Sequence, residues 1–175
     1  MSIALRSVKT GVAGDVGDVF STHVRYVAAL AYRMLGRDDL VDDLVQDVFV
    51  AALRGLDALH EPEAIRGWLA RVTVRLASRR LKRQRFVAFL GFDDDGSPEN
   101  DVVCPSASPE QQVLLAQVYR VLQRVPTDDR LAWTLRYVEG MQLDEVAQMT
   151  NCSLATAKRR IARAAALIER SLDAK

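Results

Sequence analysis

Near its midpoint the chain loses its period. Residues 92–111, FDDDGSPENDVVCPSASPEQ, hold three prolines, repeated Asp and Ser, and no regular spacing of apolar positions. On either side apolar residues recur at helical intervals, with no strand-like alternation. Such a break divides a 175-residue chain into two small helical units. The fold class that follows is all-α: two small helical domains on an acidic flexible linker. The segments are a tail at 1–14, a first domain at 15–85, a linker at 86–107 and a second domain at 108–175.

The first domain reads as three helices. Val16, Val19, Phe20, Val24, Val27, Leu30, Ala31 and Met34 form the first apolar stripe, which Gly36 is placed to end. Leu40, Val41, Leu44, Val45, Val48, Phe49, Ala52, Leu53 and Leu56 form the second. Asp39, Asp42, Asp43, Gln46 and Asp47 lie opposite, their acids in the first turns, where the helix dipole favours negative charge. A third helix is expected from Pro62 to about residue 85, with Ile65, Trp68, Leu69, Val72, Leu76 and Leu81 on its apolar side.

Charge is segregated in a chain whose net charge is only +1. Residues 66–85, RGWLARVTVRLASRRLKRQR, carry eight basic residues and no acid, whereas residues 86–112 carry six acids and no Lys or Arg. Segregation of this kind points to a polyanionic partner more strongly than the total does.

The second domain starts near Ser108, with Pro109 at the first helical position and Val113, Leu114, Val118, Val121, Leu122 and Val125 as its stripe. Pro126 ends that helix, and Thr127 is placed as the N-cap of the next, which runs through Leu131, Leu135 and Val138 to Gly140. LDEVAQMTNCSLATAKRRIARA then has the anatomy of a helix-turn-helix. A short helix buries Val146 and Met149. Asn151 supplies a left-handed turn residue, and Ser153 caps a second helix that buries Leu154, Ala157 and Ile161. The outer face of that helix carries Thr156, Lys158, Arg159, Arg160 and Arg163. A charge run alone is more often a solvated face. A short helix, a tight turn and a capped, basic second helix together are the parts that enter a DNA major groove.

Other function classes find little support. Cys104, Cys152, His23 and His60 are isolated, so neither a disulfide framework nor a zinc site is expected. Asp93, Asp94 and Asp95 sit in a Gly/Ser/Pro-rich stretch and read as a solvated run. No phosphate-binding glycine loop or nucleophile–base motif is visible, and no cofactor or enzymatic activity is expected. Apolar runs are too short for a membrane span and no signal peptide is evident, so a cytoplasmic protein is expected.

At this point the sequence resembles the extracytoplasmic-function (ECF) group of bacterial RNA polymerase sigma factors. DDLVDDLVQDVFVAALRGL is similar to the group's acidic helix in region 2, with Asp43, Gln46, Asp47 and Phe49 on the pattern. IRGWLARVTVRLASRRLKRQR resembles its Trp-Leu helix ending in a basic run. LRYVEGMQLDEVAQMTNCSLATAKRRIARA resembles the region 4 signature. The resemblance implies a factor that binds core RNA polymerase, directs it to specific promoters and promotes DNA opening.

The implied partners are the largest and second-largest polymerase subunits, promoter DNA and an anti-sigma factor, with no membrane insertion. Region 2 would dock on the coiled coil of the largest subunit through Asp39, Asp42, Asp43, Gln46 and Asp47. Its basic helix would meet the −10 element through Arg71, Arg75, Ser78, Arg79, Arg80, Lys82 and Arg83. Region 4 would read the −35 element through Ser153, Thr156, Lys158, Arg159, Arg160 and Arg163, and contact the flap of the second-largest subunit. Arg75 and Arg79 stand where the family has Asn and Asp. A guanidinium only donates hydrogen bonds, so it favours phosphate or stacking contact over the two-way pairing that an amide offers a flipped base, and whether these arginines read a base or hold only the backbone stays open. The alternative is a stand-alone helix-turn-helix regulator that binds duplex DNA without core polymerase.

Overall fold

The structure is a computed structural model that describes residues 16–36, 39–55, 61, 63–90 and 108–173. Leu56, Pro62, Cys104 and the acidic run Asp93, Asp94 and Asp95 lie outside those residues. Seven helices are described: α1 (Val16–Leu35), α2 (Val41–Gly55), α3 (Ala64–Phe89), α4 (Pro109–Arg124), α5 (Thr127–Tyr137), α6 (Leu143–Met149) and α7 (Leu154–Asp173).

Helices α1, α2 and α3 pack against one another as a three-helix unit. Leu30, Met34, Leu44, Val48 and Leu69 are fully buried at its centre, as the helical spacing requires. Gly36 ends α1 in the left-handed region at φ 66°, and its N–H bonds the Tyr32 carbonyl at 2.7 Å. Leu53 departs from the expected stripe: it is 60% exposed, and Phe20 is also on the surface. The apolar arc of α2 is wider than its two neighbours can cover, and Leu53 lies at its edge.

The 26 residues of α3 span about 39 Å. The helix continues through Phe86–Phe89, so the first residues of the stretch read as linker are helical. Its buried positions, among them Leu69, Val72, Thr73, Val74 and Ala77, do not form one narrow stripe. The reason is tertiary. α3 is covered by α1 and α2 on one side and by α5 and α6 on another. Thr73 is buried without penalty because its hydroxyl donates to the Leu69 carbonyl at 2.8 Å.

In the second unit α7 packs on α4, α5 and α6. Ser108 caps α4 in a full capping box with Gln111. Thr127 does not cap α5. Pro126 occupies the cap position without a side-chain bond, and Thr127 is the first helical residue and is buried. Leu154 and Val138, expected inside, are exposed. Both sit at helix ends.

The two units are not separate cores. One apolar cluster runs from Leu30, Leu69 and Val74 of the first unit to Leu131, Leu135, Val146 and Ile161 of the second. A smaller cluster joins Tyr119, Leu122 and Val125 to Ala164 and Ile168. Region-to-region contact is therefore built from apolar burial as well as from charge.

Candidate nucleic-acid interface

Three surfaces carry the residues singled out by sequence. The first is the face of α2. Asp42, Asp43, Gln46 and Asp47 are all exposed along it, and Asp39 is exposed in the turn before. Arg80 of α3 reaches this face: its Nη2 donates to Asp47 Oδ2 at 2.6 Å, and its Nη1 lies 3.8 Å from Asp43 Oδ2. Nη1 also approaches the Leu40 carbonyl at 3.4 Å. The Asp43 and Asp47 side chains remain 71% and 52% exposed, so an ion pair of this kind leaves the acids open to a partner.

The second surface is one ridge of α3. Arg71, Arg75, Ser78, Arg79 and Lys82 recur at helical spacing and line a cleft of about 560 Å³. Its opposite wall is the helix-turn-helix segment Gln148–Asn151. Arg83 is exposed off this ridge. Two other arginines of the basic run are committed elsewhere. Arg66 sits 4.4 Å over the Tyr26 ring, and Arg85 donates to the Gln123 carbonyl at 3.0 Å.

The third surface is the helix-turn-helix. Gln142 and Glu145 form a capping box at the start of α6. Asn151 adopts φ 49°, the left-handed turn its side chain tolerates. Ser153 Oγ accepts from the Thr156 N–H at 3.2 Å and so caps α7. Val146 and Ala147 of α6 and Ala157 and Ile161 of α7 are buried, fixing the angle between the two helices. Lys158 and Arg159 are exposed, with Arg159 Nη2 3.3 Å from Thr156 Oγ1. Arg160 and Arg163 turn instead towards α5. Arg160 Nη2 bonds Asp128 Oδ2 at 3.1 Å, and Arg163 Nη2 bonds Asp129 Oδ1 at 2.8 Å.

An acidic helix face, a basic ridge and a helix-turn-helix thus occur in that order on one chain. The Sigma-70 region 2 family matches residues 19–87, and the Sigma-70, region 4 family matches residues 115–168. The chain belongs to the sigma-70 family. Within it the chain is of the ECF group. The ECF RNA polymerase sigma-E factor of Escherichia coli (strain K12) is 29% identical over 161 residues, covering 86% of this chain and 84% of that protein. The protein of the same name from Haemophilus influenzae is 27% identical over 161 residues, covering 87% and 85%. Among solved structures, CnrH in complex with the cytosolic domain of CnrY matches with a TM-score of 0.61 at 28% identity, covering 91% of this chain and 88% of that one. The sigma factor RpoE, in complex with the anti-sigma factor NepR from Bartonella quintana, matches in fold with a TM-score of 0.65 at 21% identity, covering 90% and 96%.

In sigma-70 terms, regions 2 and 4 meet along a polar seam that sequence reasoning did not foresee. Asp128 takes two cations, Lys82 of region 2 at 2.7 Å and Arg160 of region 4 at 3.1 Å. Arg33 of region 2 makes a two-pronged pair with Glu139 of region 4, Nη2 to Oε2 at 3.0 Å. Arg130 is buried and donates from Nη2 to the Met34 carbonyl at 2.8 Å. That carbonyl is among the last four of α1, where a cation also meets the negative end of the helix dipole. Burial lowers the Arg130 pKa to about 10, so it stays charged at neutral pH. In sequence Asp128, Asp129 and Arg130 are ordinary residues of a first helical turn. No local spacing marks them, because their partners lie far away in the chain.

Proposed function

We propose that this chain works as an ECF sigma factor that binds core RNA polymerase, directs it to specific promoters and promotes DNA opening. The observation that carries this reading is the pairing of an exposed acidic face on α2 with a helix-turn-helix in one compact chain. A stand-alone DNA-binding regulator has no use for the first. Sigma factors recognise DNA and do not themselves catalyse, in keeping with the absence of a catalytic motif in the sequence. No described helix is long and apolar enough to cross a membrane.

In this reading Asp39, Asp42, Asp43, Gln46 and Asp47 contact the largest polymerase subunit. Arg71, Arg75, Ser78, Arg79, Lys82 and Arg83 face the −10 element, joined by Arg80 once it leaves Asp47. Ser153, Thr156, Lys158 and Arg159 meet the −35 element, with Arg160 and Arg163 flanking. Exposure of the α2 acids and of Lys158 and Arg159 supports these assignments. The units 15–85 and 108–175 are assigned as the two working domains, and an anti-sigma protein as a further partner.

The test is run-off transcription with core polymerase on genomic fragments, followed by mapping of start sites. Promoter-specific transcripts are expected from the reconstituted pair. Failure to bind core, together with tight binding to a palindromic duplex, would sink the reading. Substituting Arg75 and Arg79 with Ala should reduce transcription on duplex templates, and a premelted template should restore it.

A further inference from the structure

Lys82 from the −10-facing ridge and Arg160 and Arg163 from the −35-facing helix converge on the first turn of α5. Asp128 divides its two carboxylate oxygens between units, Oδ1 to Lys82 Nζ at 2.7 Å and Oδ2 to Arg160 Nη2 at 3.1 Å. Asp129, whose side chain is only 3% exposed, holds Arg163 at 2.8 Å. Together with Arg85 these groups line a cleft of about 350 Å³ between the units. A carboxylate oxygen at such distances takes the place that a phosphate oxygen takes on the same cations. Lys82 and Arg163 remain more than half exposed. The Lys82–Asp128 pair, partly open to water on both sides, is weak by itself and open to competition from a polyanion.

We infer that the acidic first turn of α5 is an internal stand-in for DNA phosphate, an autoinhibitory clasp that holds cations of both promoter-binding surfaces until nucleic acid displaces it. The inference rests on the reading that these cations face DNA. The clasp works with geometry as well as charge. While Lys82 and Arg160 share one carboxylate, the α3 ridge faces the helix-turn-helix across the cleft, and the two surfaces cannot lie along separate promoter elements.

The experiment uses the full chain and a short fluorescein-labelled duplex of mixed sequence, with small-angle scattering of the free protein alongside. Asp128→Asn is compared with Glu169→Gln, which removes an equal charge from an exposed site of α7 outside the seam. Asp128→Asn should bind the duplex about three- to tenfold more tightly than Glu169→Gln, the range expected for releasing two partly exposed pairs. Its radius of gyration should rise. Arg33→Gln breaks the seam away from every assigned DNA contact, so it tests the clasp even if Asp128→Asn folds poorly. It should also expand the particle and bind at least as tightly as wild type despite losing a positive charge. Equal duplex affinity of Asp128→Asn and Glu169→Gln, with unchanged scattering of both seam variants, would overturn the clasp. Arg159→Ala separates the two readings. If it weakens binding while Asp128→Asn does nothing, the DNA assignment stands and the clasp fails. If Arg159→Ala binds like wild type while Asp128→Asn expands, the DNA assignment fails and takes the clasp with it.

Discussion

Arg130 carries a charge where almost none is tolerated, 4% exposed beneath the junction of the two units. Its Nη2 donates to the Met34 carbonyl at 2.8 Å, and its Nε has no hydrogen-bond partner among the described residues. Truncating it would take that donor from the carbonyl, so Arg130→Ala should destabilise the fold by about 1–3 kcal/mol in a urea titration. Gly36 is constrained from the same side. Its φ of 66° is left-handed, and a Cβ there would run into the Tyr119 ring. Gly67 lies inside α3, and a Cβ there meets open space. Gly36→Ala should therefore lower the melting temperature, whereas Gly67→Ala should raise stability by about 0.5–1 kcal/mol. The left-handed role of Gly36 was legible in sequence because a glycine at the end of an apolar stripe signals a helix stop. Its closeness to Tyr119 was not, because nothing local reports a contact made across the whole of α2 and α3.

At the scale of elements, the helices and their order could be read from period alone, and the ends could be read only where a cap residue marks them. Ser153 caps α7 as expected, and Ser108, just before Pro109, caps α4. Thr127 does not, because the chain turns at Pro126 and draws the threonine inside. Side chains at helix margins were hardest to assign. Leu53 and Leu154 keep the apolar phase of their helices, yet they stay largely exposed. Among the site residues, the acids of α2 and the exposed pair Lys158 and Arg159 stand on the faces that the spacing predicts. The turn of Arg160 and Arg163 towards α5 depends on acids of that helix. At the start of α4 the Glu110 carboxyl is held below its ordinary pKa, first by the Ser108 hydroxyl and then by its own backbone N–H. A carboxyl lowered on folding stabilises above its unfolded pKa of about 4.5 and loses that contribution as pH falls through its folded value. The gap in melting temperature between wild type and Glu110→Gln should thus close on acidification below that pH. On α2, the triple variant Asp43→Ala, Gln46→Ala, Asp47→Ala should lose retention by core polymerase while keeping duplex DNA binding, as measured by co-purification and anisotropy.

For the whole molecule, segregation of charge was visible in sequence and its consequence was not. A basic run and an acidic break suggested two units on a tether. The described structure brings the units together along Lys82–Asp128, Arg33–Glu139 and Arg130–Met34. Free DNA binding should fall steeply with salt, because phosphate contacts release counterions. The seam pairs should weaken over the same range, so scattering of the free chain should report expansion as salt rises.

The apolar cluster shared by the units answers to a different variable. Parting Leu69 and Val74 from Leu131 and Val146 would wet surface that is now dry. Near room temperature that penalty is entropic, and it shrinks on cooling. Cold should therefore loosen the molecule where warmth tightens it. The size of that response is set by how many leucines and valines of one half are buried against the other.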